Sequence, residues 1–141
     1  MAVTNAGGRV FGGMMSDKLG RINALYIAFF LQMLNMVGFL FYQSSAALVI
    51  GIIGVGFCYG TLLSVFPALT ADQYGLKNYG VNYGILYLAW GLSGVVAPVL
   101  ADYFFDIYGT FNAAYIICAI MMAAMVFGNY LLQKDIAALK A

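Results

Sequence analysis

Between Ile22 and Ala71 the chain carries not one charged residue. A soluble domain keeps charge on its exposed faces, and such a run leaves no face fit for water. Hydrophobic residues make up 65% of the chain and charged ones 8%, the balance of a membrane-spanning protein. A helix needs about 20 apolar residues to cross the hydrocarbon core. Segments 22–42, 46–71, 81–101 and 112–133 reach that length, and the shorter segment 1–15 reads as a truncated helix. Lipid offers no partner for a free N–H or C=O, so each span must be helical. The expected fold class is all-α: a bundle of transmembrane helices crossing a cell membrane, with the lipid bilayer as its solvent.

The basic residues sort to one side of this pattern. Lys18 and Arg21 stand in segment 16–21, Lys77 in loop 72–80, and Lys134 and Lys140 in tail 134–141. The opposite loops, 43–45 and 102–111, carry no base, and the second holds Asp102 and Asp106. The positive-inside rule then places segment 16–21, loop 72–80 and the C-terminus in the cytoplasm. A net charge of +1 provides no basic surface for nucleic acid. No basic start followed by a short apolar core marks a secretory signal. With no His and no Glu, hydrolytic triads and zinc sites have little to be built from. Cys58 and Cys118 lie in separate spans and read as small apolar packing residues. The chain does not read as an enzyme, and no cofactor or metal is expected.

Three groups of residues carry the chemistry that remains. The first is the polar segment Gly13-Met14-Met15-Ser16-Asp17-Lys18-Leu19-Gly20-Arg21. Gly13 and Gly20 suit a close approach and a tight turn. Asp17 suits a backbone N–H or a basic partner. Lys18 and Arg21 anchor the segment at the membrane face. The second group is Arg9 with Asn5, four residues apart and so on one helix face. An ionisable residue inside an apolar segment is costly and marks a pathway. A guanidinium fork matches a carboxylate, and snorkelling to the interface is the structural alternative. The third group is aromatic. Tyr83, Tyr87 and Trp90 share a face by their spacing, and Tyr59 lies at similar depth in the preceding span. Such a wall suits an apolar substrate body, although core packing explains it equally well.

Glycine is frequent within the spans. Gly8 with Gly12, and Gly56 with Gly60, have the small-xxx-small spacing of closely packed membrane helices. Pro67 and Pro98 fall inside spans and each removes a helical donor, so kinks are expected there.

The string Gly13, Asp17, Lys18, Gly20, Arg21 resembles the conserved cytoplasmic loop of the major facilitator superfamily, found after the second and eighth helices. In that family the loop acts as a conformational latch. The match departs at Ile22, where a second base is common. The stretch from Asn82 to Gly91 resembles the eleventh helix of the oxalate:formate antiporter branch, which also contains monocarboxylate transporters. Asn5-Ala6-Gly7-Gly8-Arg9 is similar to that branch's eighth helix. The resemblance implies part of helix eight through helix twelve of a secondary transporter working by alternating access. It gives Arg9 the role of carboxylate-binding arginine, with Asn5, Tyr59, Tyr87 and Trp90 lining the site. Oxalate transporters place a lysine where Trp90 stands, so a monocarboxylate is expected rather than a dianion. Proton-coupled relatives often carry an aspartate where Asn5 stands.

The expectation is thus a C-terminal fragment of a small-organic-anion transporter, lacking the N-terminal half that completes the site and not transporting alone. The rival is a small stand-alone membrane protein, either an oligomeric exporter or a structural subunit. Drug exporters of that size need an intramembrane carboxylate, and every Asp here lies at a span edge or in a loop.

The charge pattern predicts a labelling result. With Cys58 and Cys118 replaced, a single cysteine at position 108 reacts with a membrane-impermeant reagent in intact cells. One at position 137 does not. The reverse result overturns the orientation.

Overall fold

The computed structural model describes residues 1–139, and all five of its elements are helices: α1 (Ala2–Leu19), α2 (Arg21–Phe39), α3 (Ser45–Tyr74), α4 (Tyr79–Tyr108) and α5 (Asn112–Leu139). Four of them hold a stretch long and apolar enough to cross a membrane: α2, α3, α4 and residues Asn112–Leu131 of α5. The remaining helix, α1, has 18 residues and carries Arg9 near its middle.

Four of the five helices overrun their expected ends, while α2, expected to reach 42, stops at Phe39. Segment 16–21, expected as a loop, is helical to Leu19, and Gly20 alone separates α1 from α2. The 72–80 loop shrinks to 75–78, since α3 continues through Asp72 to Tyr74 and α4 starts at Tyr79. Likewise α4 continues past Asp102 and Asp106, and α5 continues over the expected tail to Leu139. Lys140 and its place in the charge pattern lie outside the described residues. The reason is physical. Hydropathy marks only the part of a helix inside hydrocarbon. A 30-residue helix such as α3 or α4 is about 45 Å long, against a hydrocarbon core of about 30 Å. The surplus turns stay helical in the headgroup layer because their backbone bonds are already made.

Three of the four chain reversals fall on glycine, the exception being the α2–α3 turn over 40–44. Gly20, Gly75 and Gly109 have φ of 88°, 71° and 66°, a region that L side chains avoid. At the start of α3, Ser44 accepts from the Ala47 N–H at 3.2 Å, a side-chain cap on an otherwise open helix end. Pro67 and Pro98 sit inside continuous helices.

Two kinds of packing hold the helices. Between α2, α3 and α5 lies an apolar core built on Ala24, Leu25, Phe29 and Val65, with Leu62, Phe66, Met122 and Val126 packed against it. Between α1 and α3 the side chains are small. Gly8 and Gly60 press on the backbones of Phe57 and Asn5 of the opposite helix, and Gly12 and Gly56 on Thr61 and Thr4. A Cβ at Gly12 would lie 2.6 Å from Thr61 Cγ2, one at Gly60 would lie 3.0 Å from the Arg9 amide nitrogen, and one at Gly8 would strike the Phe57 carbonyl oxygen. Both small-xxx-small pairs therefore belong to one interface. Thr61, which is buried, donates across it to the Gly8 carbonyl at 3.2 Å while also lying 3.1 Å from the Phe57 carbonyl of its own helix. Between apolar helices in lipid, close van der Waals contact of this kind supplies the attraction that water would otherwise drive. In contrast, α4 has no buried residue and touches only α3 and α5 lightly.

Cys58 is buried, Cys118 is exposed, and both are free. Polar residues also bridge helices within the apolar region. Asn35 donates to the Gly51 carbonyl at 2.9 Å, joining α2 to α3. Gln32 is buried on the same helix.

Gly60→Leu should force α1 off α3. Overpacking costs about 1–3 kcal/mol even where side chains can give way, and backbone cannot. The expected result is a melting temperature lowered by several degrees in detergent, with loss of disulfide crosslinking between cysteines placed on α1 and α3. Gly91→Ala, where a Cβ meets nothing within 4 Å, should leave both unchanged or slightly improved. Equal behaviour of the two variants would refute the seam.

Candidate functional site

Two sites emerge, one at the Gly20 turn and one along the middle of α1, α3 and α4.

At the turn, Arg21 is the hub. Its guanidinium pairs with Asp17 one turn back, and its Nε donates to Asp72 Oδ2 of α3 at 2.9 Å. It also donates to the Ser16 hydroxyl at 2.6 Å, and Ser16 in turn donates to the Gly13 carbonyl at 3.0 Å. The helix dipoles oppose this arrangement. Asp17 and Asp72 lie near helix C-termini and Arg21 opens a helix N-terminus, each at the end that disfavours its charge. Pairing compensates all three. The pairs are partly exposed, with side-chain accessibilities of 25% for Arg21, 67% for Asp17 and 56% for Asp72. Each is therefore worth at most about 1 kcal/mol.

One detail differs from the expectation for this segment. Gly13 makes no close approach, since a Cβ there meets nothing within 4 Å, whereas its neighbour Gly12 is pressed against Thr61. Gly13 contributes its carbonyl instead. Of the two partners expected for Asp17, the structure gives it the base. Lys18 lies in the last turn of α1, exposed to solvent, where its charge favours the helix C-terminus.

Sequence reasoning treated Asp72 only as the edge of a loop, yet it is the long-range partner of Arg21. A lone acid ending an otherwise uncharged span, with an unmatched arginine opening another, was the available signal. The α5 contacts were not foreseen either. Asn129 donates to the Ile22 carbonyl at 3.0 Å, and Gln133 donates to Asn23 Oδ1 at 2.9 Å. Asn23 itself donates to the Leu19 carbonyl at 2.8 Å. Four helices thus meet at one turn.

The second site is built around Arg9. Its Nε donates to Asn5 Oδ1 at 3.0 Å, as their spacing predicts. Among the described residues no carboxylate pairs with Arg9; the ion pairs there belong to Arg21. The side chain is exposed on α1. On α4, Tyr79, Tyr83, Tyr87 and Trp90 form a continuous column with successive ring separations of 5.6, 4.9 and 5.5 Å. Tyr59 of α3 meets Trp90 edge to face at 5.2 Å, a favoured aromatic geometry.

The aromatic residues expected on one wall are therefore together, with Tyr59 as the link to α1. Tyr59 lines a cavity of about 370 Å³ with Asn5, Val55 and Gly56. On its other side it lines a second cavity of about 360 Å³, shared with Trp90, Phe66 and Met122. A second cation is absent from this wall among the described residues.

The chain was compared with known proteins. It is 32% identical over 96 residues to the uncharacterized MFS-type transporter YhjX of Escherichia coli (strain K12), covering 67% of this chain and 24% of that protein. It is 25% identical over 123 residues to monocarboxylate transporter 14 of Homo sapiens, covering 86% of this chain and 24% of that protein. A probable nitrate transporter, NarT of Staphylococcus carnosus (strain TM300), is 28% identical over 112 residues, covering 79% of this chain and 29% of that protein. The chain thus spans about a quarter of the length of these relatives. No solved structure matches it. The family model described as Major Facilitator Superfamily matches residues 1–138. This multi-pass membrane chain, with its hydrogen-bonded turn at Gly20 and its unpaired Arg9, belongs to the Major Facilitator Superfamily.

Proposed function

We propose that these helices form part of the C-terminal half of a secondary transporter that carries small monocarboxylates by alternating access, with Arg9 as the substrate counter-charge. The observation that carries this reading is the state of the two arginines. Arg21 is saturated by Asp17 and Asp72, whereas Arg9 is held by Asn5 and has no carboxylate of its own among the described residues. A buried anion needs a paired and hydrogen-bonded cation to cross a low-dielectric region. Arg9 offers one such charge and a planar fork. Two of the relatives are named for monovalent planar anions, a monocarboxylate and nitrate, which supports a single-charge site. The aromatic wall favours the carboxylate, because nitrate has no apolar part to cover.

The Gly20 turn serves as the latch of the same cycle, on the cytoplasmic side with the C-terminus. Gly13, Asp17, Lys18, Gly20 and Arg21 form it, with Asp72 as the partner that ties α1 and α2 to α3. The remaining wall of the substrate site comes from the transporter's other half.

Uptake of labelled lactate, nitrate and oxalate by a transporter containing these helices tests the substrate class. Lactate should exceed nitrate and oxalate. Arg9→Ala should lower uptake of lactate at least tenfold, and Arg9→Lys should not restore it, since an ammonium lacks the fork. Trp90→Lys should raise oxalate relative to lactate by adding a second positive site. Unchanged uptake in Arg9→Ala would show that the arginine is structural.

The latch has its own readout. Asp72→Asn should slow transport by about fivefold, the worth of roughly 1 kcal/mol, while equilibrium substrate binding stays within twofold. Arg21→Asp combined with Asp72→Arg should recover more rate than either change alone. A loss explained wholly by weaker binding would defeat the latch.

A further inference from the structure

Helix α2 is poorly started by its own sequence. Its N-cap is Gly20, which has no side chain to accept from the orphan N–H groups of the first turn. No acidic residue stands in that turn, and its first residue is Arg21, whose charge the helix N-terminus disfavours. A helix end of this kind frays. Yet this turn carries the guanidinium on which the ion pairs with Asp17 and Asp72 converge. One turn of helix is about 5.4 Å long, so losing it would carry Arg21 out of reach of both carboxylates.

The missing cap is replaced from α5. Asn129, which is buried, donates to the Ile22 carbonyl at 3.0 Å. Gln133 Nε2 donates to Asn23 Oδ1 at 2.9 Å, and Asn23 Nδ2 donates to the Leu19 carbonyl at 2.8 Å. Leu19 is the last residue of α1, so its carbonyl has no partner within that helix. The chemistry fixes the order of this chain. A carbonyl only accepts, so Asn23 must turn its nitrogen to Leu19. Its oxygen is left for α5, and Gln133 must then present its nitrogen. Asn23 thereby joins the end of α1, the start of α2 and the end of α5.

The two α5 amides stand beside the ion pairs without entering them. Gln133 lines a cavity of about 460 Å³ with Arg21 and Asp72, but its hydrogen bond goes to Asn23. Helix α5 is also a firm support for α2. Met122 and Val126 pack on the core that holds Leu25 and Phe29, and at the far end Tyr115 stacks on Phe39 with ring centroids 5.2 Å apart. The two helices are fixed to each other along their length, and the amides carry that fixity to the turn.

We infer that Asn129, Gln133 and Asn23 are positioning residues of the latch. They hold the first turn of α2 to α5, so that Arg21 reaches both carboxylates. The inference rests on the latch reading of the Gly20 turn and adds α5 to it, a helix that makes no ion pair there among the described residues.

Hydrogen exchange of the full chain in nanodiscs tests the support directly. The amides of 24–27 close the first turn of α2 and report on its opening. Gln133→Met and Asn129→Leu replace each amide by hydrocarbon of similar size. Each should speed exchange at 24–27 by about fivefold, the worth of one neutral hydrogen bond, with exchange in the middle of α3 unchanged. Gln133 is exposed, so its variant leaves no cavity and should keep the melting temperature.

Transport by a protein containing these helices then separates positioning from simple stability. Gln133→Met should slow the rate by up to about fivefold, with equilibrium substrate binding kept. Added to Asp72→Asn it should slow the rate little further, because residues that act through one pair are not additive. Unchanged exchange at 24–27 in both variants would overturn the inference. So would a rate loss that multiplies in full with that of Asp72→Asn, since Gln133 would then act independently of the pair. Slowing by Asp72→Asn with none by Gln133→Met would overturn it and leave the latch standing. No slowing by Asp72→Asn would remove the latch reading and this inference together.

Discussion

The arrangement of this molecule depends on two helices approaching so closely that no side chain fits between them. Gly8, Gly12, Gly56 and Gly60 let the backbones of α1 and α3 touch, and the Thr61 hydroxyl bonds across the gap. Side-chain packing leaves rotamer freedom at an interface, whereas backbone contact removes it. The amide of Arg9 lies against Gly60, one residue from Tyr59. The seam therefore sets where the guanidinium stands relative to the aromatic wall. A site built for a charge in lipid needs this rigidity, because a misplaced arginine is desolvated without compensation.

The two arginines divide the electrostatic work. Arg21 sits at the end of the bundle, where water and headgroups screen it, and it collects two carboxylates from different helices. Weak pairs suit a place that has to open. Arg9 sits within an apolar helix, where screening is poor and an ion is worth more. It is left to an amide, which orients the fork without neutralising it. The same residue type thus has opposite roles, decided by the dielectric around it and by what stands within reach.

Helix α4 completes the wall without being fastened to it. It buries no residue, yet it carries the column from Tyr79 to Trp90. A helix with few buried contacts has a low barrier to displacement. The aromatic column moves with it as a unit, because its rings contact one another along α4. The α2, α3 and α5 group is the opposite case, with a shared apolar core and the polar ties of Asn129 and Gln133 near the turn.

Much of this was legible in the chain. Uncharged runs set the number and class of the spans, because lipid tolerates neither charge nor unpaired backbone. The i, i+4 spacing paired Asn5 with Arg9, and the spacing of Tyr83, Tyr87 and Trp90 put them on one face, because helix periodicity is local. Glycine marked the turn at Gly20 and the small-residue pairs of the seam, whereas Gly75 and Gly109 drew no notice. All helix ends but that of α2 were placed too early, because hydropathy ends where hydrocarbon does and backbone bonding does not. What the sequence could not hold is anything that joins distant residues. That Gly8 and Gly12 press on Phe57 and Thr61 while Gly56 and Gly60 press on Thr4 and Asn5, that Asp72 answers Arg21, that Gly12 rather than Gly13 is the contact, and that Tyr59 lines two cavities were all decided by packing. Periodicity states which way a residue faces along its own helix, and only the tertiary structure supplies what it faces.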